Sequence, residues 1–315
     1  MTRTCIIGGA GFIGRYLVNS LSLTGREIIV VGRNPVSPFD KTISYLHNEK
    51  NSPDFWQKII KNVDEVIEMA YSSIPQTSFQ DPVRDIFDNL AFSVRIFEAL
   101  LNSNVQKVLY VSSGGTIYGQ STYSPINEGH PTDPVSPYGI TKLAIEKYGL
   151  MYRFTNNFPI VIVRPGNAYG VGQLPFRGQG FISTAIATIL NGEKVKIFGE
   201  EGTIRDYIHV EDVASGIIAA LEYGKIGECY NIGTGMGRSN REIIRMLEPL
   251  LEAAGYTSAY EFLPARAFDV RQNILDSVKL TAASGWKPEV DFNSGLAHTV
   301  EWLISNRESM LKKVP

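Results

Sequence analysis

Tyr138 and Lys142 stand four residues apart in the run Ser136-Pro137-Tyr138-Gly139-Ile140-Thr141-Lys142. On a helix this spacing puts a phenol and an ammonium on one face, within reach of one reacting group. Far upstream, Gly8, Gly11 and Gly14 make a Gly-x-x-Gly-x-x-Gly loop. Such a loop between a strand and a helix cradles a pyrophosphate, because free N–H groups and the helix dipole favour an anion there. The two signals together point to hydride chemistry at an alcohol or ketone, with a nicotinamide dinucleotide as carrier. Ser136 is suited to the N-cap and Pro137 to the first helical position, so Tyr138 falls in the first turn. The helix N-terminus, Lys142 and an oxidised nicotinamide are all expected to lower its pKa from the usual value of about 10. Lys142 is expected to hold the nicotinamide ribose as well.

These residues need a scaffold, and the apolar pattern supplies one. Thr4–Ile7 reads as a strand, and Phe12, Ile13, Tyr16, Leu17 and Leu21 follow at helical spacing, with Gly25 as a stop. Continuous apolar runs at Glu27–Val31, Glu65–Glu68, Lys107–Val111 and Ile160–Val163 suit strands covered on both faces. Helices are expected between them, from about Val83 to Leu101 and from Pro137 to Tyr152. The alternation predicts an α/β fold: a doubly wound parallel sheet of the Rossmann kind, with a smaller α/β substrate lobe. Residues 1–166 are expected to form the dinucleotide domain and 167–315 mainly the substrate lobe, with about 203–222 returning to the first domain. Ser239-Asn240-Arg241-Glu242 reads as a capping box opening a helix that runs to about Gly255.

The chain has 315 residues, 43% of them hydrophobic, and a formal charge of -2. Near-neutral charge without a basic run excludes nucleic acid as the main partner. No apolar run reaches the roughly 18 residues of a membrane span, and the first strand begins almost at Met1, so a cytoplasmic protein without a secretory leader is expected. Cys5 and Cys229 both fall in predicted strands and are expected to be buried thiols rather than a disulfide. No His, Cys, Asp or Glu grouping has metal-ligand spacing, so no metal is expected. His209 is read as a strand end before a helix, and His47, His130 and His298 receive no role. At the end of the second strand, Gly32-Arg33-Asn34 replaces the acidic residue that would bind a ribose 2′-hydroxyl. Arg33 there suits a 2′-phosphate and favours NADP(H), while a ribose held by Asn34 or by backbone leaves NAD open.

Taken with Ser112-Ser113-Gly114-Gly115-Thr116-Ile117-Tyr118-Gly119, Arg164-Pro165-Gly166-Asn167-Ala168-Tyr169-Gly170 and Arg205-Asp206-Tyr207-Ile208-His209-Val210-Glu211-Asp212-Val213, these motifs carry a resemblance over nearly the whole chain. The chain resembles the extended short-chain dehydrogenase/reductase family and, within it, the nucleotide-sugar epimerases and dehydratases of the UDP-glucose 4-epimerase type. The resemblance implies that Phe12, Ile13, Ala70, Asn89 and Ser112 join the glycines, Tyr138 and Lys142 around the dinucleotide. It also implies that Asn167 and Arg205 bind the phosphates of a nucleotide-diphosphate sugar. Arg266 would bind phosphate and Asp269 the nucleotide ribose, with the strand that ends in Phe198 reading the base. A homodimer built from the helices after Pro82 and Pro137 is implied too.

Two departures matter. The family places a catalytic Ser or Thr where this chain has Gly114, leaving Ser113, Thr116 or water to supply the hydroxyl. The Asp-Glu pair of the 4,6-dehydratases is replaced by Gly115-Thr116, so dehydration is not expected. The implied activity is 4-epimerisation through a 4-keto sugar. The alternative is an NADPH-dependent 4-ketoreductase acting on a 4-keto-6-deoxyhexose. A silent binding protein is a third reading, opposed by the intact Tyr138 and Lys142. The nucleotide and the hexose stay open.

Overall fold

The computed structural model describes residues 1–48, 53–266 and 269–310. Its first six strands are β1 (Arg3–Ile7), β2 (Glu27–Gly32), β3 (Ser44–His47), β4 (Glu65–Glu68), β5 (Lys107–Val111) and β6 (Ile160–Pro165). Then come β7 (Asn167–Tyr169), β8 (Val195–Phe198), β9 (Ile204–His209), β10 (Cys229–Ile232), β11 (Gly237–Ser239), β12 (Tyr260–Leu263) and β13 (Gln272–Asn273). Seven strands form one sheet in the order β10-β6-β5-β4-β1-β2-β3. Every pairing in it is parallel, as crossover helices on both faces require.

The alternation along each strand feeds two cores. Ile6 packs with Leu17, Leu109, Val163 and Ile217 on one face. Cys5 and Ile7 pack with Phe97, Tyr110, Ile145 and Ile162 on the other. A third core lies outside this sheet, where the helices Phe181–Leu190, Asn240–Ala253 and Phe292–Ser305 meet around Ile186, Ile243, Leu247 and Leu296. The two halves of the sequence are interleaved. Residues 204–209 pair with β7, β11 and β13, whereas the helix Val210–Tyr223 lies against the helix Phe12–Ser22, and β10 closes the edge of the large sheet.

The strands expected from apolar runs are present, and β6 extends to Pro165. β3 was not legible, because its residues are largely exposed and carry no apolar run. The helix expected over 83–101 is interrupted: an α-turn at Pro82–Asp85 and a π-helical segment at Ile86–Leu90 precede the α-helix Ala91–Leu101. The first helix ends at Ser22, and Gly25 follows with a φ of +75°. The capping box is formed, with Ser239 Oγ accepting from Glu242 N–H at 3.0 Å and Glu242 accepting from Ser239 N–H at 2.6 Å. His209 caps the helix Val210–Tyr223 through Nδ1, which accepts from Glu211 N–H. Both cysteines are free; Cys5 is buried, but Cys229 at the sheet edge is only partly so. Among the described residues no helix is long and apolar enough to cross a membrane.

Candidate active site

The order of the sheet reverses beside β1, where β4 and β2 lie on opposite sides. In such sheets the crevice past the carboxyl ends of the strands is the ligand site. The glycine loop leaves β1 there. Gly8 has a φ of +89°, and a Cβ on it would stand 2.7 Å from the Ala70 backbone that follows β4. A Cβ on Gly14 would come within 2.5 Å of the Gly9 carbonyl oxygen, so this glycine lets helix and loop pack backbone to backbone. Around Gly11 only the Gly8 carbonyl is near, leaving open space over the first turn of the helix Phe12–Ser22, which has no acidic residue and no side-chain cap. Free N–H groups facing open space at that end fit a pyrophosphate.

The helix Pro137–Asn156 begins as its sequence predicts, with Ser136 Oγ accepting from Gly139 N–H at 3.1 Å. Tyr138 lies in its first turn, where its N–H donates to Ser78 Oγ at 3.1 Å. The Tyr138 ring meets that of Tyr71 edge-on at 4.8 Å, and the side chains of Ser113 and Gln179 lie beside its phenol. Lys142 is only 3% exposed; its Nζ donates to the Val111 carbonyl at 2.9 Å and sits 4.3 Å from the Tyr71 ring centre.

The chain's own groups do not lower the Tyr138 pKa as expected: burial pushes the phenol up to about 12, and the neighbouring Ser113 hydroxyl opposes only part of that. Burial also brings Lys142 down to about 8. Lys142 is not among the groups that shift the phenol.

One cleft of about 990 Å³ brings together Phe12, Ile13, Ser112, Ser113, Thr116, Tyr138, Lys142, Asn167, Phe198, Arg205, Arg266 and Asp269. At the catalytic end, Ser112 Oγ, Thr116 Oγ1 and Asn167 Oδ1 are buried without a hydrogen-bond partner, which fits a polar ligand above them. At the far end Arg266 pairs with Asp269 at 2.8 Å, and its guanidinium stacks on Phe198 at 4.1 Å. Arg205 is partly buried, and its guanidinium donates to the Ile204 carbonyl, leaving further N–H groups for an anion. Gly114 has no room for the hydroxyl usual in its place: a Cβ there would lie 2.5 Å from Leu275 and 2.7 Å from the Arg164 carbonyl.

Arg33, Asn34, Ala70 and Asn89 are not on the walls of this cleft. Ala70 backs the glycine loop. Arg33 and Asn34 are exposed beyond β2. A Cβ on Gly32 would be 2.3 Å from Tyr45 Oη, so Tyr45 fills the space a carboxylate side chain would need. Asn89 is buried in the π-helical segment, where its amide oxygen accepts from Ser72 N–H at 2.7 Å and its Nδ2 donates to the Asp85 carbonyl at 2.9 Å. It shapes the loop after β4. Tyr71 and Gln179 were missed: Tyr71 follows a strand without a pattern of its own, and Gln179 lies in an irregular stretch between Gly178 and Gly180.

The sequence profile of the NAD dependent epimerase/dehydratase family matches residues 4–233. The chain belongs to that family. A UDP-glucose 4-epimerase from Mycolicibacterium smegmatis is 34% identical over 313 residues, covering 95% of this chain and 98% of the relative. A UDP-glucose 4-epimerase from Thermotoga maritima, solved with UDP-glucose, superposes with a TM-score of 0.90 at 30% identity, covering 97% of this chain and all of that one. Another from Thermus thermophilus, solved in complex with NAD, gives 0.86 at 30% identity, covering 96% and 99%. Both solved relatives thus superpose on at least 96% of this chain.

Proposed function

We propose that this protein is a nucleotide-diphosphate-sugar 4-epimerase, with UDP-glucose as its first candidate substrate. The observation that carries the reading is the meeting of Tyr138, Ser113 and Lys142 in one cleft that runs from Phe12 and Ile13, just after the glycine loop, to the Arg205, Arg266 and Asp269 end. A bound nicotinamide dinucleotide would supply a reversible hydride acceptor for C4 of the hexose.

The chain's own residues do the rest. Tyr138 takes the 4-hydroxyl proton as the 4-keto sugar forms and returns it when the other face is reduced, and the positive charge of an oxidised nicotinamide beside the phenol would offset the rise that burial gives it. Ser113 replaces the hydroxyl that Gly114 excludes, because its side chain lies beside the Tyr138 phenol. Thr116 and Asn167 offer unpartnered polar atoms to the sugar and its phosphate. Arg205 and Arg266 neutralise the diphosphate, Asp269 takes the nucleotide ribose, and Phe198 lies flat for the base. Gly115 and Thr116 provide no acid pair to expel a C6 hydroxyl, so the reading excludes dehydration. The elements around the large sheet hold the dinucleotide and the smaller sheets hold the sugar nucleotide, with the helix Val210–Tyr223 tying the two together.

A second reading has one observation in its favour. Arg33 stands exposed beyond a β2 end that carries no carboxylate, which suits a 2′-phosphate and hence NADPH-dependent reduction of a 4-keto sugar. Incubating the purified protein with UDP-glucose, without added reductant, separates the two. The C4 epimer, followed by NMR of the sugar, supports the epimerase. No epimer, together with stoichiometric NADPH oxidation by a dTDP-4-keto-6-deoxyhexose, supports the reductase.

A further inference from the structure

Behind the Tyr138–Lys142 pair lies a buried cluster of ionisable groups that the mechanism above does not use. Glu68 ends β4 and is wholly buried. It stands in register with Tyr110 on β5, whose ring centre is 5.1 Å from Lys142 Nζ, and the next residue of that strand, Val111, accepts the hydrogen bond from Nζ. Glu68 Oε2 accepts from Ser93 Oγ at 3.3 Å, while Oε1 is buried with no partner. The other acids near Lys142 are engaged. Glu146, on the same helix, is bound by the Arg164 guanidinium through both oxygens, at 2.6 and 3.1 Å. Asp85 is held by Ser73, Tyr71 and Asn89. The phenols of Tyr71 and Tyr110 complete the surroundings, and burial keeps both protonated well above neutral pH.

A buried ammonium facing two aromatic rings and a carbonyl needs a counter-charge to keep its proton. We propose that Glu68 is that counter-charge, a positioning residue that acts through Lys142 by holding it as an ammonium beneath the reacting centre. Burial lifts Glu68 to about 7 and lowers Lys142 to about 8, and each opposes the other's shift, as a pair sharing one charge balance does. Burial thus favours the neutral amine at Lys142, and the Glu68 carboxylate opposes it. Removing a facing carboxylate favours the neutral amine, so the loss of charge moves to lower pH. The inference rests on the reading of the Tyr138–Lys142 cleft as the reacting centre, but the pair titrates whether or not a sugar is turned over.

The test follows the Lys142 ε-carbon by NMR in lysine-labelled full-length protein, assigned with Lys142→Met. In Glu68→Gln, which keeps the shape and an acceptor for Ser93, the Lys142 transition is expected to fall by about one pH unit. Ser93→Ala, which withdraws a hydrogen bond from the Glu68 carboxylate, should move it the same way by less, and it reads the pair if the Gln variant does not fold. If the epimerase reading holds, the alkaline loss of turnover moves with it. A Lys142 transition unmoved in whichever variant folds overturns the proposal, whereas a moved transition in a protein that acts on no nucleotide sugar overturns only the reading of function.

Discussion

At the residue scale, the account rests on Tyr138 being a proton carrier and not only a wall of the cleft. In Tyr138→Phe the ring keeps its contact with Tyr71, and only the hydroxyl beside Ser113 and Gln179 is lost. Turnover should fall by about 100- to 10,000-fold, the worth of a positioned acid–base group, with bound dinucleotide retained. Assay of turnover and release of the dinucleotide by denaturation check both halves; wild-type turnover would remove Tyr138 from the reaction. The pair itself was legible because a spacing of four on a capped helix is a local property. The titration of Tyr138 was not. It is set by how deeply the phenol is buried, and Tyr71, Gln179 and Ser78 come from three segments whose local sequence does not announce the contact. Ser113 was one of three open candidates for the missing hydroxyl, and its place beside the Tyr138 phenol is what favours it.

At the element scale, the glycine loop works by close approach. Gly14→Ala would bring a methyl group to 2.5 Å from the Gly9 carbonyl oxygen, backbone that yields only by moving the loop off β1. It should cost about 1–3 kcal/mol of stability, as overpacking does, and empty the protein of dinucleotide. Thermal unfolding and the dinucleotide content of the purified variant measure both; an unchanged melting temperature with full occupancy would show that the loop adjusts freely. The strands of the large sheet were readable because each is buried on both faces and so is apolar throughout. β3 escaped because it is an exposed edge. The π-helical segment escaped because its register is set by Asn89 reaching Ser72 and Asp85, a tertiary contact that helical periodicity does not encode.

At the scale of the whole molecule, two surfaces remain to be used. On the helices after Pro82 and Pro137, Phe87 is 70% and Phe154 90% exposed, and Val83, Ile86, Ile140 and Met151 are exposed beside them. An apolar face of this kind marks an interface, and the proposal is that two copies pair through these helices. Light scattering should give twice the mass of one chain, and Phe87→Glu should give the mass of one; a wild-type monomer would contradict the pairing. The second surface is the cleft itself, formed by segments from both halves of the sequence. Ser112, Tyr138, Lys142 and Asn167 were legible through motifs because they fall at or near a strand end or a helix start beside the cleft, whereas Arg33, Asn34 and Asn89 lie off its walls. The space around each, which would decide the hexose, depends on packing between distant segments. The central claim is that C4 is oxidised and reduced in place, and the most direct measurement uses UDP-glucose deuterated at C4. The account predicts an epimer that keeps its deuterium at C4. An epimer that has exchanged it for solvent hydrogen, or no epimer at all, would contradict it.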